Sequence, residues 1–185
     1  MKTFPVEDYR YFVGKGLQEL IRCVLPEDKI SDKIVDDFLS EMKTEYAERW
    51  NKNSKPYPGI PELLDELQRI GLPMAVLSNK ADDFTKIMVK TLLPKWHFQV
   101  VRGLKEGIPP KPDPTSALQI AREMKIQPSD FMYIGDTDID MQTATSAGMY
   151  PVGALWGFRT AEELKENGAK VLVETPPQVL EMLEL

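Results

Sequence analysis

Three aspartates, Asp136, Asp138 and Asp140, lie within five positions directly after an apolar run. Carboxylates this close repel one another unless a cation, a helix N-terminus or a lysine lies among them. Asp140 follows Asp136 by four residues, about one helical turn. The spacing therefore indicates a carboxylate pair that needs a positive partner.

Two other short stretches could supply the rest of such a site. Ser78 and Asn79 directly follow the apolar residues of "AVLSNK", and Lys111 lies between prolines in "GIPPKPDP", which restrict the backbone around it. A hydroxyl donor, a fixed ammonium and a carboxylate pair are suited to binding an anion beside a divalent cation.

Each of these residues also has an ordinary structural interpretation. Asp136 or Asp138 could cap the helix that follows, and Ser78 with Asn79 could cap another helix. Lys111 taken singly could be a solvated side chain. These alternatives are weakened by the position of all three groups at predicted strand ends or in a rigid loop, as one site would require.

The elements that position these residues change character near "NSKPYPG", Asn53–Gly59. Before it, apolar residues recur at three- and four-residue spacing, which predicts helices, one of them capped by Ser31. After it, helical patterns alternate with five apolar runs, "PMAVLS", "FQVVRG", "FMYIGD", "PVGALWG" and "KVLVE". This alternation predicts a doubly wound α/β core with a parallel sheet, whose ligands lie beyond the carboxyl ends of the strands.

Composition narrows the function classes. The 185 residues suffice for one well-cored domain with at most a small appendage. A net charge of −6 argues against a nucleic-acid partner. Cys23 is the single cysteine, so no intrachain disulfide can form, and its apolar helical surroundings predict a buried side chain. A single cysteine fits a reducing cytoplasm, where we predict that the protein is located. No run approaches the ~18 apolar residues of a membrane span, so we predict no membrane partner.

Three motifs together resemble the haloacid dehalogenase (HAD) superfamily of phosphohydrolases. "VLSNK", "PPKPDP" and "YIGDTDIDMQTATSAGM" are similar to its second, third and fourth motifs, in the same order. "PGIPELLDELQRIG" and "ALWGFRTAEEL" resemble the phosphoglycolate phosphatase-like branch, and "FPVEDYRYFVGKGL" resembles its helical cap domain. The resemblance implies a partial cap at residues 1–55 and a Rossmann-like HAD core at residues 56–185.

The resemblance also implies a role for each site residue. Ser78 would donate a hydrogen bond to a phosphoryl oxygen, and Asn79 would shape the same pocket. Lys111 would neutralise the phosphoryl group. Asp136 would be a direct Mg²⁺ ligand, and Asp140 would hold the site through water, the ion or Lys111.

One family motif has no counterpart in the printed sequence. The family's first motif is an apolar strand ending in Asp-x-Asp, which provides the nucleophile and the general acid and base, and no such string follows an apolar strand upstream of Ser78. The Asp-x-Asp strings within Asp136–Asp140 belong to the fourth motif, and Asp138 is interpreted as an exposed residue at a helix start. We therefore expect the core to lack its first, central strand.

A missing central strand would leave two inner sheet edges, belonging to "PMAVLS" and "FMYIGD". About five unpaired backbone groups per edge, at ~1–3 kcal/mol each, would rival a domain's total stability of ~5–15 kcal/mol. The two inner strands could pair directly, another chain could supply a strand, or the sequence could be a truncated form of a longer protein. The intact downstream motifs favour truncation.

Two functions follow from these patterns. The first is a Mg²⁺-dependent phosphomonoester hydrolase that acts through an aspartyl-phosphate in its full-length form, whereas the printed chain by itself is expected to be inactive. The alternative is a non-catalytic remnant that binds Mg²⁺ and phosphate, or a protein partner. The expected ligand is a small phosphorylated metabolite, with homodimerisation left open.

Overall fold

The structure is a computed structural model that describes residues 4–14 and 16–183. It divides into two compact units, Met1–Lys55 and Pro56–Leu185. The predictions that fall on residues 1–3, 15, 184 and 185 lie outside the described residues. Within the described ranges, no helix is both long and apolar enough to cross a membrane.

The first unit is helical, with α1 at Tyr9–Phe12, α2 at Leu17–Val24 and α3 at Asp32–Arg49. Helices α2 and α3 pack through a buried cluster of Ile21, Leu25 and Val35. Ser31 caps α3 as predicted, because its hydroxyl accepts the Ile34 N–H at 3.4 Å.

The prediction that Cys23 is buried is wrong. Its side chain is exposed, and the buried residues of α2 are Leu20 and Ile21. Successive helical residues are rotated by about 100°, so Cys23 lies roughly 200° around the helix from Ile21 and faces away from the cluster. The apolar sequence around Cys23 thus did not show which side of the helix packs.

The second unit contains five strands and six helices among its described residues. All five predicted strands are present, and every strand pair is parallel, which confirms the predicted α/β fold. The strands are β1 (Ala75–Ala81), β2 (Val100–Leu104), β3 (Met132–Gly135), β4 (Tyr150–Ala154) and β5 (Val171–Val173). The helices are α4 (Ile60–Arg69), α5 (Asp82–Leu92), α6 (Thr115–Met124), α7 (Asp138–Ala147), α8 (Ala161–Glu166) and α9 (Gln178–Glu181).

These strands form two separate sheets. Strand β1 pairs with β2, and a second sheet has the order β3–β4–β5. Direct pairing of the two inner strands, one of the three alternatives derived from the sequence, is therefore wrong for the described residues. The division falls between β1 and β3, the two strands that carry "PMAVLS" and "FMYIGD".

Both inner strands lie between the same two layers of helices. Met74, just before β1, and Met132, the first residue of β3, pack in one cluster with the buried leucines of α4. Leu77 and Tyr133 pack on the opposite side against buried alanines of α6 and α7. The two sheets therefore belong to one layer of the unit even though no strand pairing joins them among the described residues.

The inner edge of the second sheet is open to solvent. Ile134 in β3 is paired with Val152 in β4, so the two side chains point to the same face. Val152 is 0% exposed, whereas Ile134 is 37% exposed. Val152 has strands on both sides, so the exposure of Ile134 results from the space beside β3.

Leu164 of α8 is fully buried, and we expect Leu164→Ala to lower the free energy of unfolding by ~2–5 kcal/mol, because the lost side chain leaves a cavity. Leu118→Ala on α6, where the leucine is exposed, is the matched control and should change stability by less than about 0.5 kcal/mol. Urea denaturation followed by circular dichroism measures both. Equal losses in the two variants would contradict the burial of Leu164 against the exposure of Leu118.

Candidate functional site

Asn79 fixes the backbone of Lys111. Its side-chain oxygen accepts the Lys111 N–H at 2.8 Å, and its side-chain NH₂ donates to the Lys111 carbonyl at 3.0 Å. One buried amide therefore satisfies both backbone groups of a residue 32 positions away. This pairing joins β1 to the loop before α6 and sets where the lysine side chain begins.

The Lys111 side chain forms a buried ion pair with Asp140. Lys111 Nζ is 2.6 Å from Asp140 Oδ1, and the two side chains are only 11% and 9% exposed. The ammonium also donates to the carbonyl oxygen of Leu77 in β1 at 3.5 Å. It therefore connects the inner edge of the first sheet with the helix that follows β3.

The two partners stabilise each other's charged form. Burial is the largest single influence on the pKa of Lys111 and lowers it, but the charge of Asp140 and the contacts with Asp140 and Tyr133 together outweigh burial, so the pKa is raised. Burial is the largest single influence on the pKa of Asp140 and raises it, but the charge and hydrogen bond of Lys111, together with the hydrogen bonds from Thr137, outweigh burial, so the pKa is lowered. Burial also raises the pKa of Tyr133, whose hydroxyl is 3.4 Å from Asp140 Oδ1, to about 12. Lys111 and Asp140 are thus ionised and Tyr133 is neutral at pH 7.

Asp140 also forms a reciprocal cap with Thr137 at the start of α7. The Thr137 hydroxyl donates to Asp140 Oδ2 at 2.6 Å, the Thr137 N–H donates to the same oxygen at 3.2 Å, and the Asp140 N–H donates to the Thr137 hydroxyl. The interpretation of Asp136 or Asp138 as the cap is therefore wrong. The Thr-x-x-Asp spacing of a capping box was the signal in the sequence.

Asp136 lies at the carboxyl end of β3, where its Oδ2 accepts the Phe158 N–H at 3.0 Å. Burial raises the pKa of Asp136, and the charge of Asp140 raises it further. The ammonium of Lys111 is held by Asp140. Asp136 is therefore a carboxylate with too little positive charge around it, which is the electrostatic environment that a bound cation would correct.

The loop between β4 and α8 is held against the start of α7 by Arg159. Its buried guanidinium Nε donates to Asp138 Oδ1 at 3.2 Å, and its backbone N–H donates to the Asp136 carbonyl at 3.1 Å. The expectation that Asp138 is simply exposed needs correction, because it is partly buried and paired. Arg159 and Phe158 were not identified as site residues from the sequence, although both lie in the quoted stretch "ALWGFRTAEEL".

Two glycines make room for the carboxylates. A Cβ added at Gly135 would overlap the side chain of Asp140, and a Cβ added at Gly157 would overlap that of Asp136. Close approach therefore requires glycine at both positions. The side chain of Asp140 thus packs directly against the backbone of Gly135, and that of Asp136 against the backbone of Gly157.

Ser78 and Asn79 lie inside β1 and not after its end, which corrects their predicted position. The regular pairing with β2 is interrupted between Leu77 and Ala81. The Ser78 hydroxyl accepts the Lys80 N–H at 3.1 Å, a local bond that replaces ladder pairing. Ser78 thus directly follows Leu77, the residue whose carbonyl oxygen contacts the Lys111 ammonium.

The carboxylate oxygens of this site would suit a hard divalent cation that keeps several of its water ligands. In residues 4–14 and 16–183, no group of three or more His, Cys, Asp or Glu side chains is arranged to hold a metal ion. Both oxygens of Asp140 already accept hydrogen bonds, so Asp136 is the better direct ligand. Mg²⁺ typically uses one or two carboxylates and several waters. These oxygens would fit a Mg²⁺ ion held by Asp136, with Asp140 acting through Lys111.

Comparison with known proteins identifies the family. Residues 1–154 match the family model described as haloacid dehalogenase-like hydrolase. The chain is 30% identical over 163 residues to a phosphoglycolate phosphatase of Aquifex aeolicus, covering 85% of this chain and 74% of that protein. It is 25% identical over 184 residues to a phosphoglycolate phosphatase of Nitrosospira multiformis, covering 97% of this chain and 81% of that protein.

Solved structures show the same fold. A Lactobacillus delbrueckii subsp. bulgaricus protein, proposed to be a phosphoglycolate phosphatase, superposes with a TM-score of 0.87 at 28% identity, covering 97% of this chain and 83% of that one. A haloacid dehalogenase-like protein of Streptococcus pneumoniae superposes with a TM-score of 0.86 at 21% identity, covering 98% and 82%. Because the family model matches most of the chain, the chain belongs to the haloacid dehalogenase-like hydrolase family.

Proposed function

We propose that this chain carries the phosphate-binding and Mg²⁺-binding part of a phosphomonoester hydrolase of the phosphoglycolate phosphatase type. The buried Lys111–Asp140 pair beside the undercompensated Asp136 is the observation that carries this proposal. Two relatives bearing the name phosphoglycolate phosphatase support the substrate class. Phosphoglycolate is our first choice of substrate, and hexose phosphates are the second.

The anion side of the site would consist of Lys111 and Ser78. Asn79 holds the Lys111 backbone, so the ammonium is positioned before any ligand arrives. The Ser78 hydroxyl accepts the Lys80 N–H, which leaves its own hydrogen to donate to a phosphoryl oxygen. A fixed ammonium in a water-poor site stabilises a phosphoryl anion more strongly than an exposed lysine does.

The cation side would be Asp136, oriented by the Phe158 N–H. Bound Mg²⁺ would neutralise phosphoryl charge and relieve the repulsion between Asp136 and Asp140. Asp140 orients Lys111 instead of binding the ion directly, because Thr137 and Lys111 engage its oxygens. The Arg159–Asp138 ion pair keeps the loop that contains Phe158 in place.

The residues described in this site bind and orient a phosphate ester but do not offer a nucleophile. Asp138 is paired with Arg159, and Asp140 with Lys111. Family resemblance implies an Asp-x-Asp strand as the source of the nucleophile and of the general acid and base, and therefore an aspartyl-phosphate in a form that includes that strand. The alternative, a non-catalytic module that binds Mg²⁺ and phosphate, rests on the same absence of a nucleophile among the residues described in this site.

Whether the protein is an enzyme or a binding module, we propose a small phosphorylated metabolite as its ligand and a cytoplasmic location, without a nucleic-acid or membrane partner.

Catalysis separates these two proposals. The printed chain should hydrolyse phosphoglycolate and p-nitrophenyl phosphate at background rates with Mg²⁺, because it lacks the nucleophile. A longer form with an added amino-terminal apolar strand ending in Asp-x-Asp should hydrolyse phosphoglycolate, and Asp136→Asn should abolish that rate. If the longer form hydrolyses no small phosphate ester in a panel, the enzymatic proposal fails and the binding module remains.

Phosphate binding tests the anion side. Lys111→Ala should weaken inorganic phosphate binding at least tenfold in calorimetric titrations, because it removes the positioned ammonium. Lys95→Ala, which removes an exposed lysine paired with Asp65, is the control and should leave the affinity unchanged.

Lys111→Ala also leaves Asp140 buried without its ion-pair partner, which can cost ~3–5 kcal/mol of stability. The double variant Lys111→Met with Asp140→Asn avoids this uncompensated charge and should bind phosphate as weakly as Lys111→Ala does. Wild-type affinity in a folded double variant would contradict the assignment of Lys111.

Stability as a function of pH distinguishes the two carboxylates. The pKa of Asp140 is lowered, so its contribution is present above the unfolded-state pKa and is lost as pH falls through the folded-state pKa. The pKa of Asp136 is raised, so its contribution is present at low pH and is lost as pH rises through the folded-state pKa. At pH 7, Asp136→Asn should therefore stabilise the metal-free chain and Asp140→Asn should destabilise it.

Thermal denaturation at pH 7 with and without Mg²⁺ measures both effects. Mg²⁺ should raise the melting temperature of the wild type, and this increase should disappear in Asp136→Asn. A Mg²⁺-dependent increase that persists in Asp136→Asn would show that the ion binds elsewhere.

A further inference from the structure

The loop between β4 and α8 approaches Asp136 through its backbone at three successive positions. The Phe158 N–H donates to Asp136 Oδ2 at 3.0 Å, and the Arg159 N–H donates to the Asp136 carbonyl oxygen at 3.1 Å. Gly157 lies so close that an added Cβ would overlap the Asp136 side chain. The orientation of this carboxylate therefore depends on where the loop is held.

The loop has separate anchors at its start and in its middle. At the start, the Leu155 N–H donates to the Val173 carbonyl oxygen, and Trp156 packs against the apolar core. Phe158 contributes little packing because its side chain is 38% exposed. Arg159 is buried, so its side chain is the anchor nearest to the Phe158 N–H.

The Arg159 side chain joins the loop to the helix start beside Asp136. Its Nε donates to Asp138 Oδ1 at 3.2 Å, and the two side chains are 7% and 31% exposed. Asp138 is the first residue of α7 and follows Asp136 by two positions. The ion pair thus holds the loop against the same short segment that presents the Asp136 carboxylate.

The charge of Arg159 and its position have opposite effects on a cation. A guanidinium near a cation ligand repels the bound ion, so charge by itself predicts that removing Arg159 strengthens cation binding. Hydrogen bonds that orient a metal-binding carboxylate strengthen binding instead, and losing them typically costs roughly 10–100-fold in affinity. Because the two effects differ in sign, a single affinity measurement separates them.

We propose that Arg159 is a positioning residue for the cation side of the site. Its ion pair with Asp138 holds the Phe158 N–H on Asp136 and thereby strengthens Mg²⁺ binding, although its own charge opposes that binding. The inference rests on the proposed function, because it takes Asp136 as the Mg²⁺ ligand. It adds that the affinity for the ion is set by a loop, "LWGFRT", that contains no carboxylate.

Calorimetric titration of the full chain with Mg²⁺ tests the sign of the effect. Arg159→Met replaces the guanidinium with an apolar side chain of similar length and should weaken Mg²⁺ binding about tenfold. Unchanged or stronger Mg²⁺ binding in this variant would overturn the proposal, because charge would then outweigh position.

Two controls separate positioning from a general loss of charge or structure. Arg69→Met removes an exposed arginine of α4 that pairs with Glu66, and it should leave the Mg²⁺ affinity unchanged. Arg159→Met should bind inorganic phosphate as the wild type does in the absence of metal, because Lys111 and Ser78 supply the anion side. Equal losses of phosphate and Mg²⁺ affinity would indicate a damaged fold and overturn the proposal.

The conservative variant Arg159→Lys provides a rescue. Lysine keeps the positive charge and a hydrogen-bond donor, so this variant should bind Mg²⁺ more tightly than Arg159→Met does. Charge by itself predicts the reverse order. Affinities of the two variants that are equal, or in the reverse order, would overturn the proposal.

Hydrogen exchange of the Phe158 amide, followed by NMR without Mg²⁺, reports on the loop itself. Exchange should be at least tenfold faster in Arg159→Met than in the wild type. If Arg159→Met does not fold, Asp138→Ala breaks the same ion pair from its more exposed partner and should accelerate exchange of the same amide. Unchanged exchange in the folded variant would overturn the proposal.

The wild-type titration distinguishes failure of this inference from failure of the proposed function. If the wild-type chain binds no Mg²⁺, the cation side of the proposed function fails, and the role of Arg159 fails with it. If the wild type binds Mg²⁺ and Arg159→Met binds it equally well or better, only the role of Arg159 fails.

Discussion

The buried ion pair between Lys111 and Asp140 is the interaction on which the candidate site depends. Two charges at 2.6 Å with little exposure are stable only as a pair, so neither residue can change without leaving the other uncompensated. The pair also has a mechanical role, because Asn79 ties the Lys111 backbone to β1, whereas Thr137 ties Asp140 to the start of α7. One charge contact thereby fixes the distance between the ends of the two sheets.

The pairing of Lys111 with Asp140 has a consequence for Asp136. Its carboxylate is left with backbone N–H donors and a raised pKa, so a bound cation would relieve a charge that the described contacts leave undercompensated. Gly157 allows the loop to approach this carboxylate, and Arg159 holds the loop there. The same arrangement that destabilises the metal-free chain would therefore favour ion binding.

The divided sheet connects fold and function. The Lys111 contacts bridge the space between β1 and β3 at its carboxyl end, while the rest of that space is an apolar cleft with a strand on either side. Apolar surface that lines an open space contributes less to stability than apolar surface packed in a core. The stability of this unit and its chemistry therefore depend on the same region.

The sequence by itself determined the five parallel strands, the helices between them and the Ser31 cap, because periodicity and capping are local properties that short stretches encode. It also placed the lysine motif and the acidic motif at one edge of the sheet. Tertiary structure decided which groups meet. The Asn79–Lys111 contact spans 32 residues, and the choice of Thr137 as cap, the Arg159 partner of Asp138 and the exposure of Cys23 depend on how helices and loops pack. Such contacts follow from three-dimensional packing geometry, which no short stretch of sequence contains.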